Sequence, residues 1–240
     1  MDKLRRMLRN GVTSLCLHLS SDQEEKMLAF VSLLHRANTR CNLTGFAGEE
    51  DILVEGVLDS LTALTWDEVF KASQSLVDVG TGGGIPGIPL KIAYPALQLT
   101  LLEATAKKCR FLEEAVRLLE LEETQVLCGR AETVAHDPTS RERYTLATAR
   151  ALGELRIILE LTTPFIRPGG FALYYKGPNV QEEIKNAQNA LHVLRSTIVA
   201  LRDVPVPFRS RKTTLVLVQK TAPTPPQYPR RPGMPKKRPL

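Results

Sequence analysis

Leu76-Val77-Asp78-Val79-Gly80-Thr81-Gly82-Gly83-Gly84-Ile85-Pro86-Gly87-Ile88-Pro89-Leu90 is the stretch that decides the fold. Residues 76–79 suit a buried strand and run into five positions, 80–84, that hold four glycines. An apolar helix start follows at once. A strand, a glycine turn and a helix N-terminus in succession aim backbone N–H groups at a place where a ligand can sit.

Downstream of this stretch the chain alternates. Strands are expected at Leu99–Leu102, Gln125–Cys128, Tyr144–Ala149 and Phe171–Tyr175, with helices at Ala106–Leu121, Glu154–Thr163 and Val180–Ala190 between and after them. Such alternation gives a parallel sheet with right-handed crossovers and helices on both faces. Ser196–Leu201 and Thr214–Gln219 have no helix between them and read as a terminal antiparallel hairpin. Arg167-Pro168-Gly169-Gly170 reads as a turn.

Upstream, the chain reads as a helical cover. Leu4, Met7, Leu8 and Leu15 mark one face of a short helix. Ser21-Asp22-Gln23-Glu24 has the form of a capping box and opens a helix to about Thr39, which Asn42-Leu43-Thr44-Gly45 ends. A further helix opens at Glu49-Glu50-Asp51, with Leu53, Val54, Val57, Leu58, Leu61 and Leu64 as its apolar face. Gly56 inside it is a weak point of about 1 kcal/mol against alanine. The expected architecture is an α/β doubly wound sheet, residues 71–220, with an N-terminal helical extension over 1–70 and a tail over 221–240.

The net charge of +6 is unevenly placed. Residues 221–240 hold Arg230, Arg231, Lys236, Lys237 and Arg238 and no acid, so five of the six positive charges belong to the tail. Seven prolines in the same twenty residues argue against a helix or a central strand and for an extended polybasic arm suited to phosphates. Cys16, Cys41, Cys109 and Cys128 form no C-x-x-C pair and read as free thiols of a reducing compartment. His18, His35, His136 and His192 are scattered, so no metal site is expected. No apolar run approaches the ~20 residues that span a bilayer.

In an open sheet of this kind the ligand sits beyond the carboxyl ends of the strands, here Gly80, Glu103, Cys128 to Arg130, Arg150 and Lys176. Gly80-x-Gly82-x-Gly84 allows close approach of a ligand and is shared by dinucleotide and S-adenosylmethionine sites. The dinucleotide form needs a third glycine where this chain has Ile85, and Pro86 and Pro89 remove donors that a pyrophosphate would use. Glu103, nineteen residues after Gly84, is placed to accept from both ribose hydroxyls of an adenosine.

The glycine-proline stretch resembles the signature of the RsmG/GidB family, the bacterial methyltransferases of guanine N7 in 16S rRNA. Further matches are Asn42-Leu43-Thr44, Leu58-Asp59-Ser60-Leu61, Lys107-Lys108, Arg110-Phe111-Leu112, Gly129-Arg130-Ala131-Glu132, Ala149-Arg150-Ala151, Lys176-Gly177 and Tyr228-Pro229-Arg230-Arg231-Pro232-Gly233. Two positions depart from the pattern: Gly56 stands where many members carry histidine, and Thr213 where an arginine is common.

The resemblance implies a Rossmann-like class I methyltransferase fold and S-adenosyl-L-methionine as cofactor. It implies cofactor contacts at Gly80, Gly82, Gly84, Ile85, Glu103, Ala104, Thr105, Ala131, Glu132 and Arg150. For Arg150, a grip on a substrate phosphate and an internal pair with a carboxylate are the other readings. Lys107, Arg130, Lys176, Arg230 and Arg231 are candidates for RNA phosphates. The implied partner is 16S rRNA or a small-subunit particle in the cytoplasm, with no membrane and a monomer favoured. Guanine N7 carries a free lone pair, so no catalytic base is expected and positioning supplies the rate. A nicotinamide-dependent oxidoreductase on the same fold and a non-enzymatic RNA-binding protein are the competing readings.

Overall fold

Strand β1 (Ser75–Val79) is buried on both faces and lies inside a seven-stranded sheet, as a parallel strand covered by helices must. A computed structural model describes residues 2–41 and 43–240, the side chain of Cys41 excepted. Met1, the Cys41 thiol and Asn42, with its part in the expected turn and family match, lie outside the described residues.

Strands β2 (Gln98–Glu103) and β3 (Thr124–Cys128) extend the sheet in parallel on one side of β1. Strands β4 (Tyr144–Arg150) and β5 (Ile166–Lys176) extend it in parallel on the other. Strand β6 (Ser196–Pro205) returns through β7 (Lys212–Lys220), and β7 pairs antiparallel with both β5 and β6. The order is β3-β2-β1-β4-β5-β7-β6. Winding reverses between β1 and β4, which opens a crevice at their carboxyl ends. Residues 167–170, expected as a turn, lie within β5, where the register with β4 shifts between Tyr144 and Leu146.

Helices α1 (Asp2–Ser14) and α2 (Ser21–Cys41) come first. The capping box sits one residue earlier than expected: the Ser20 hydroxyl accepts from the Gln23 N–H at 3.2 Å, and the Gln23 carboxamide accepts from the Ser20 N–H at 2.8 Å. Both reciprocal bonds of the motif are made, by glutamine rather than glutamate. A helical run over 49–65 follows, made of α3 (Glu49–Asp51), a π stretch (Ile52–Leu58), α4 (Asp59–Leu61) and a 3-10 turn (Thr62–Thr65). Gly56 lies in the π stretch, and a Cβ there would stand 2.8 Å from the Ile85 side chain. It is a contact point between the cover and the glycine turn rather than a simple weakness. α5 (Asp67–Ala72), which the hydrophobic pattern did not mark, leads into β1.

The crossovers carry α6 (Gly87–Ala93), α7 (Ala106–Leu118), α8 (Ala131–Val134), α9 (Leu155–Thr162), α10 (Val180–Asn186) and α11 (Gln188–Val193). Successive β1 residues face opposite layers. Leu76 joins Leu8, Met27, Phe30, Leu34 and Leu58 in a core shared with the N-terminal helices. Val77 and Val79 join Leu155, Leu159 and Ala190 on the other face. These five N-terminal side chains, all fully buried, stabilise by several kcal/mol together.

The tail is not the extended arm that its composition suggests. It folds back over α9 and ends in a short helix, α12 (Met234–Lys237). The fully buried Glu160 accepts from the Arg230 N–H at 2.8 Å and from its guanidinium at 2.8 and 2.6 Å. The Arg141 guanidinium donates to the carbonyls of Thr224 and Tyr228, both at 2.9 Å. The Glu142 carboxylate accepts from Lys220 at 2.5 Å and from the Thr224 N–H at 2.8 Å. Proline keeps the free chain stiff, so fastening it costs less entropy than the same length of flexible chain would. Arg230→Ala leaves a carboxylate buried without its partner, and should lower unfolding free energy in urea by about 3 kcal/mol. A loss below about 0.5 kcal/mol would show that the clamp does not form.

Candidate cofactor and substrate site

The β1 turn is stiff because nearly all of its donors are spent inside the chain. The N–H groups of Gly80 and Thr81 reach the Leu102 carbonyl at 2.8 and 3.2 Å. Those of Gly84 and Ile85 reach the Thr81 carbonyl at 3.0 and 3.1 Å, and that of Ile88 reaches Gly84 at 2.8 Å. The Gly82 N–H donates to Glu103 Oε2 at 3.1 Å, and the Gly87 N–H donates to Asp78 Oδ2 at 2.8 Å. Pro86 and Pro89 have no N–H to give. No cradle of free donors for a pyrophosphate is left.

The glycines divide by what they make room for. A Cβ on Gly84 would meet the chain's own Ile88 at 2.5 Å, so that glycine serves packing. Gly82 is different. It holds a left-handed φ of +60°, and a Cβ there would find nothing nearer than the Gly80 carbonyl at 4.0 Å. The space above it belongs to no part of the protein.

A cleft of about 470 Å³ opens beside this turn, at the carboxyl ends of β1, β2 and β3. Gly80, Glu103, Ala104, Thr105, Arg130, Ala131 and Glu132 line it, seven of the residues expected at the site. Glu103 anchors the floor, its Oε1 accepting from the Thr105 N–H at 2.8 Å. Ile157 and Leu161 of α9 supply apolar walls. Gly233, Pro235 and Lys236 of the tail complete the lining; sequence reasoning did not find them, because nothing local in the tail reports where it docks. A larger hollow of about 730 Å³, lined by Ser75, Gln98, Thr124 and Tyr144, lies at the amino ends of the strands. The winding reversal favours the carboxyl end.

The structure places other expected residues elsewhere. Gly82, Gly84 and Ile85 are outside the cleft lining, Gly82 beside open space and Ile85 packing on the helical cover at Gly56. Arg150 pairs with the buried Asp59 at 3.1 Å and donates to the Glu55 carbonyl, the internal pairing rather than the expected cofactor contact. Asp59 also accepts from the Thr213 hydroxyl, and Arg209 pairs with Glu55. Lys176 Nζ is held by Glu183 at 2.5 Å and by the Gly153 carbonyl at 2.9 Å, and Arg230 by Glu160. Neither Lys176 nor Arg230 is a free cation for phosphate. Lys107, Arg130 and Arg231 are exposed or partly so at the surface.

Beneath the turn, Asp78 is completely buried, and its Oδ1 has no partner. Burial raises its pKa from the ordinary 3.8 to about 7, against the opposing bonds from the Thr81 hydroxyl and the Gly87 N–H. Folding therefore takes up a proton here between about pH 4 and 7, so this group's contribution to stability falls as pH rises through that window and levels off above it. Asp78→Asn keeps an acceptor for Thr81 and Gly87 and cannot ionise. The difference in unfolding free energy between variant and parent should move in the variant's favour by about 2 kcal/mol from pH 5 to 8. Parallel stability–pH curves for the two chains would contradict this.

Comparison with known proteins agrees with the geometry. The family model described as "rRNA small subunit methyltransferase G" matches residues 23–206. A ribosomal RNA small subunit methyltransferase G of Alkaliphilus metalliredigens is 38% identical over 98% of both chains. One from Symbiobacterium thermophilum is 40% identical, also over 98% of both. Among solved structures, cofactor-bound Rv0187 from MTB superposes with a TM-score of 0.57 at 13% identity, covering 81% of this chain and 90% of that one. A 16S rRNA (adenine(1408)-N(1))-methyltransferase of Catenulisporales acidiphilia gives 0.50 at 17% identity, covering 67% of this chain and 91% of that one. These likenesses show a shared fold. With its glycine turn, its strand order and relatives matching almost end to end, this chain belongs to the rRNA small subunit methyltransferase G (GidB) family.

Proposed function

We propose that this protein is an S-adenosylmethionine-dependent methyltransferase that modifies N7 of a guanine in the decoding-region loop of 16S rRNA, in the cytoplasm. One observation carries the choice of cofactor. The donors of the β1 turn are consumed internally while the space over Gly82 is left open, which suits a ligand without a pyrophosphate and disfavours a nicotinamide dinucleotide.

The residues present fit that cofactor. Glu103 has two carboxylate oxygens with lone pairs beyond those used by Gly82 and Thr105, enough to accept from a ribose diol. Ala131, Ile157 and Leu161 offer apolar surface for a flat base, with Glu132 beside them. Gly80, Ala104 and Thr105 complete the contacts proposed for the cleft. When bound, the cofactor supplies a sulfonium methyl group, to which the guanine N7 lone pair bonds as the carbon–sulfur pair withdraws onto sulfur. Positive charge passes to the purine and no proton leaves N7, so the chain needs to orient the two partners and exclude water rather than supply a base. Orientation alone contributes about 7–11 kcal/mol in well-aligned systems.

Guanine N7 in a paired RNA stem faces the deep, narrow groove that side chains do not reach, so the target is an unstacked or extruded base. Arg130 at the cleft, with Lys107 and Arg231, is proposed to hold flanking phosphates. The substrate is the rRNA itself or the small-subunit particle that contains it.

Calorimetry with S-adenosylmethionine and with NAD tests the assignment. The chain should bind the first and not the second. Gly82→Val, which fills the open space and strains a left-handed backbone, should weaken cofactor binding at least 100-fold. Undiminished binding by that variant would place the cofactor elsewhere.

A further inference from the structure

The tail begins beyond the matched family region, residues 23–206, yet it reaches the cleft. We infer that residues 233–238 form a built wall of the cofactor site and contribute directly to binding the nucleoside end of S-adenosylmethionine. The inference rests on the cofactor assignment made above and assigns a binding role to a segment that composition marks as a solvated arm.

Three observations support it. Gly233, Pro235 and Lys236 line the same cleft as Ala131, Glu132, Ile157 and Leu161. The wall is tied to the site's own floor, because the Gly233 N–H donates to Glu132 Oε1 at 2.9 Å. It is also held from behind. The Arg230–Glu160 clamp joins it to α9, His136 Nε2 lies 2.8 Å from the Pro229 carbonyl, and Pro235 is buried. A wall fastened at the buried Glu160, at Glu132 and at the Arg141 guanidinium is ordered before any ligand arrives, so binding does not have to supply the entropy of ordering it.

The chemistry of the wall suits one end of the ligand. Pro235 adds a rigid apolar ring to a cleft also lined by Ile157 and Leu161, a surface suited to a flat heteroaromatic base. Lys236 brings a cation to the mouth, with Lys237, Arg238 and Arg231 exposed around it. Cofactor binding and the presentation of positive charge to RNA phosphates are therefore functions of one segment. The segment thus does more than offer phosphates an extended polybasic arm.

The test is a chain ending at Pro232, which keeps the Arg230–Glu160 clamp and removes only the cleft-lining part. Its affinity for S-adenosylmethionine by calorimetry should fall at least tenfold, while the ligand-free thermal midpoint stays within a few degrees of the parent. Equal affinity would overturn the inference. Should the shortened chain fail to fold, tryptic cleavage after Lys236 and Lys237 in the intact protein decides: S-adenosylmethionine should slow it at least fivefold, and an unchanged rate would overturn the wall. If the intact chain does not bind S-adenosylmethionine at all, the cofactor assignment itself fails; if it does and the shortened chain binds equally well, only the wall fails.

Discussion

The structure depends on one carboxylate that serves two turns. Glu103 ends β2, and its two oxygens accept from Gly82 in the β1 turn and from Thr105 at the start of α7. The strand ends on either side of it are joined by the Gly80 and Thr81 bonds to Leu102 and by the Gly129 N–H to the Glu103 carbonyl at 2.9 Å. Three strand ends are thereby fixed relative to one another around a negative charge that is itself nearly buried. A carboxylate accepting backbone N–H bonds is held in place with no cationic partner among the described residues, which leaves its remaining lone pairs for a ligand. The cleft is preorganised because Glu103, which lines it, also builds the frame.

Charge elsewhere is used for fastening. Glu160 and Asp59 are buried and answered by Arg230 and Arg150 from distant parts of the chain. Two guanidinium nitrogens of the Asp59 cluster, Arg150 Nη1 and Arg209 Nη1, are buried without a hydrogen-bond partner among the described residues, although Arg209 Nη1 lies 3.8 Å from Asp59 Oδ2. A buried pair of this kind adds little net stability over apolar packing, but it specifies which segment docks where. That specification matters for a tail whose composition gives it no apolar face of its own.

Much of the sheet was legible because strand ends punctuate the sequence with glycine or charge: Gly80, Glu103, Gly129, Arg150 and Lys176 each follow a short apolar run. Periodicity also marked the N-terminal helices, although it could not show that 52–58 winds as a π stretch, since the apolar face survives the change of pitch. The capping box was displaced by one residue because Ser20 and Ser21 offer the same hydroxyl and only the frame of the helix chooses between them. The tail was misread for a more general reason. Its partners are acids far upstream, and the one local hint was Glu160, a charge set within the apolar run of α9 where a core position is expected. Arg150, Lys176 and Arg230 show the matching limit: a cation at a strand end or in a basic segment announces its charge in sequence, and only the fold shows whether an internal acid has already claimed it.

We propose that the crevice between glycine turn, Glu103 and tail delivers a methyl group to one guanine of small-subunit rRNA. The most direct measurement is to incubate the protein with small ribosomal subunits lacking the modification and with methyl-labelled S-adenosylmethionine, then map the label. Label is expected at a single guanine, with the N7-methyl signature by mass spectrometry of the digested nucleosides. Label on another atom or base, or none in rRNA from a chain that binds the cofactor, would contradict it.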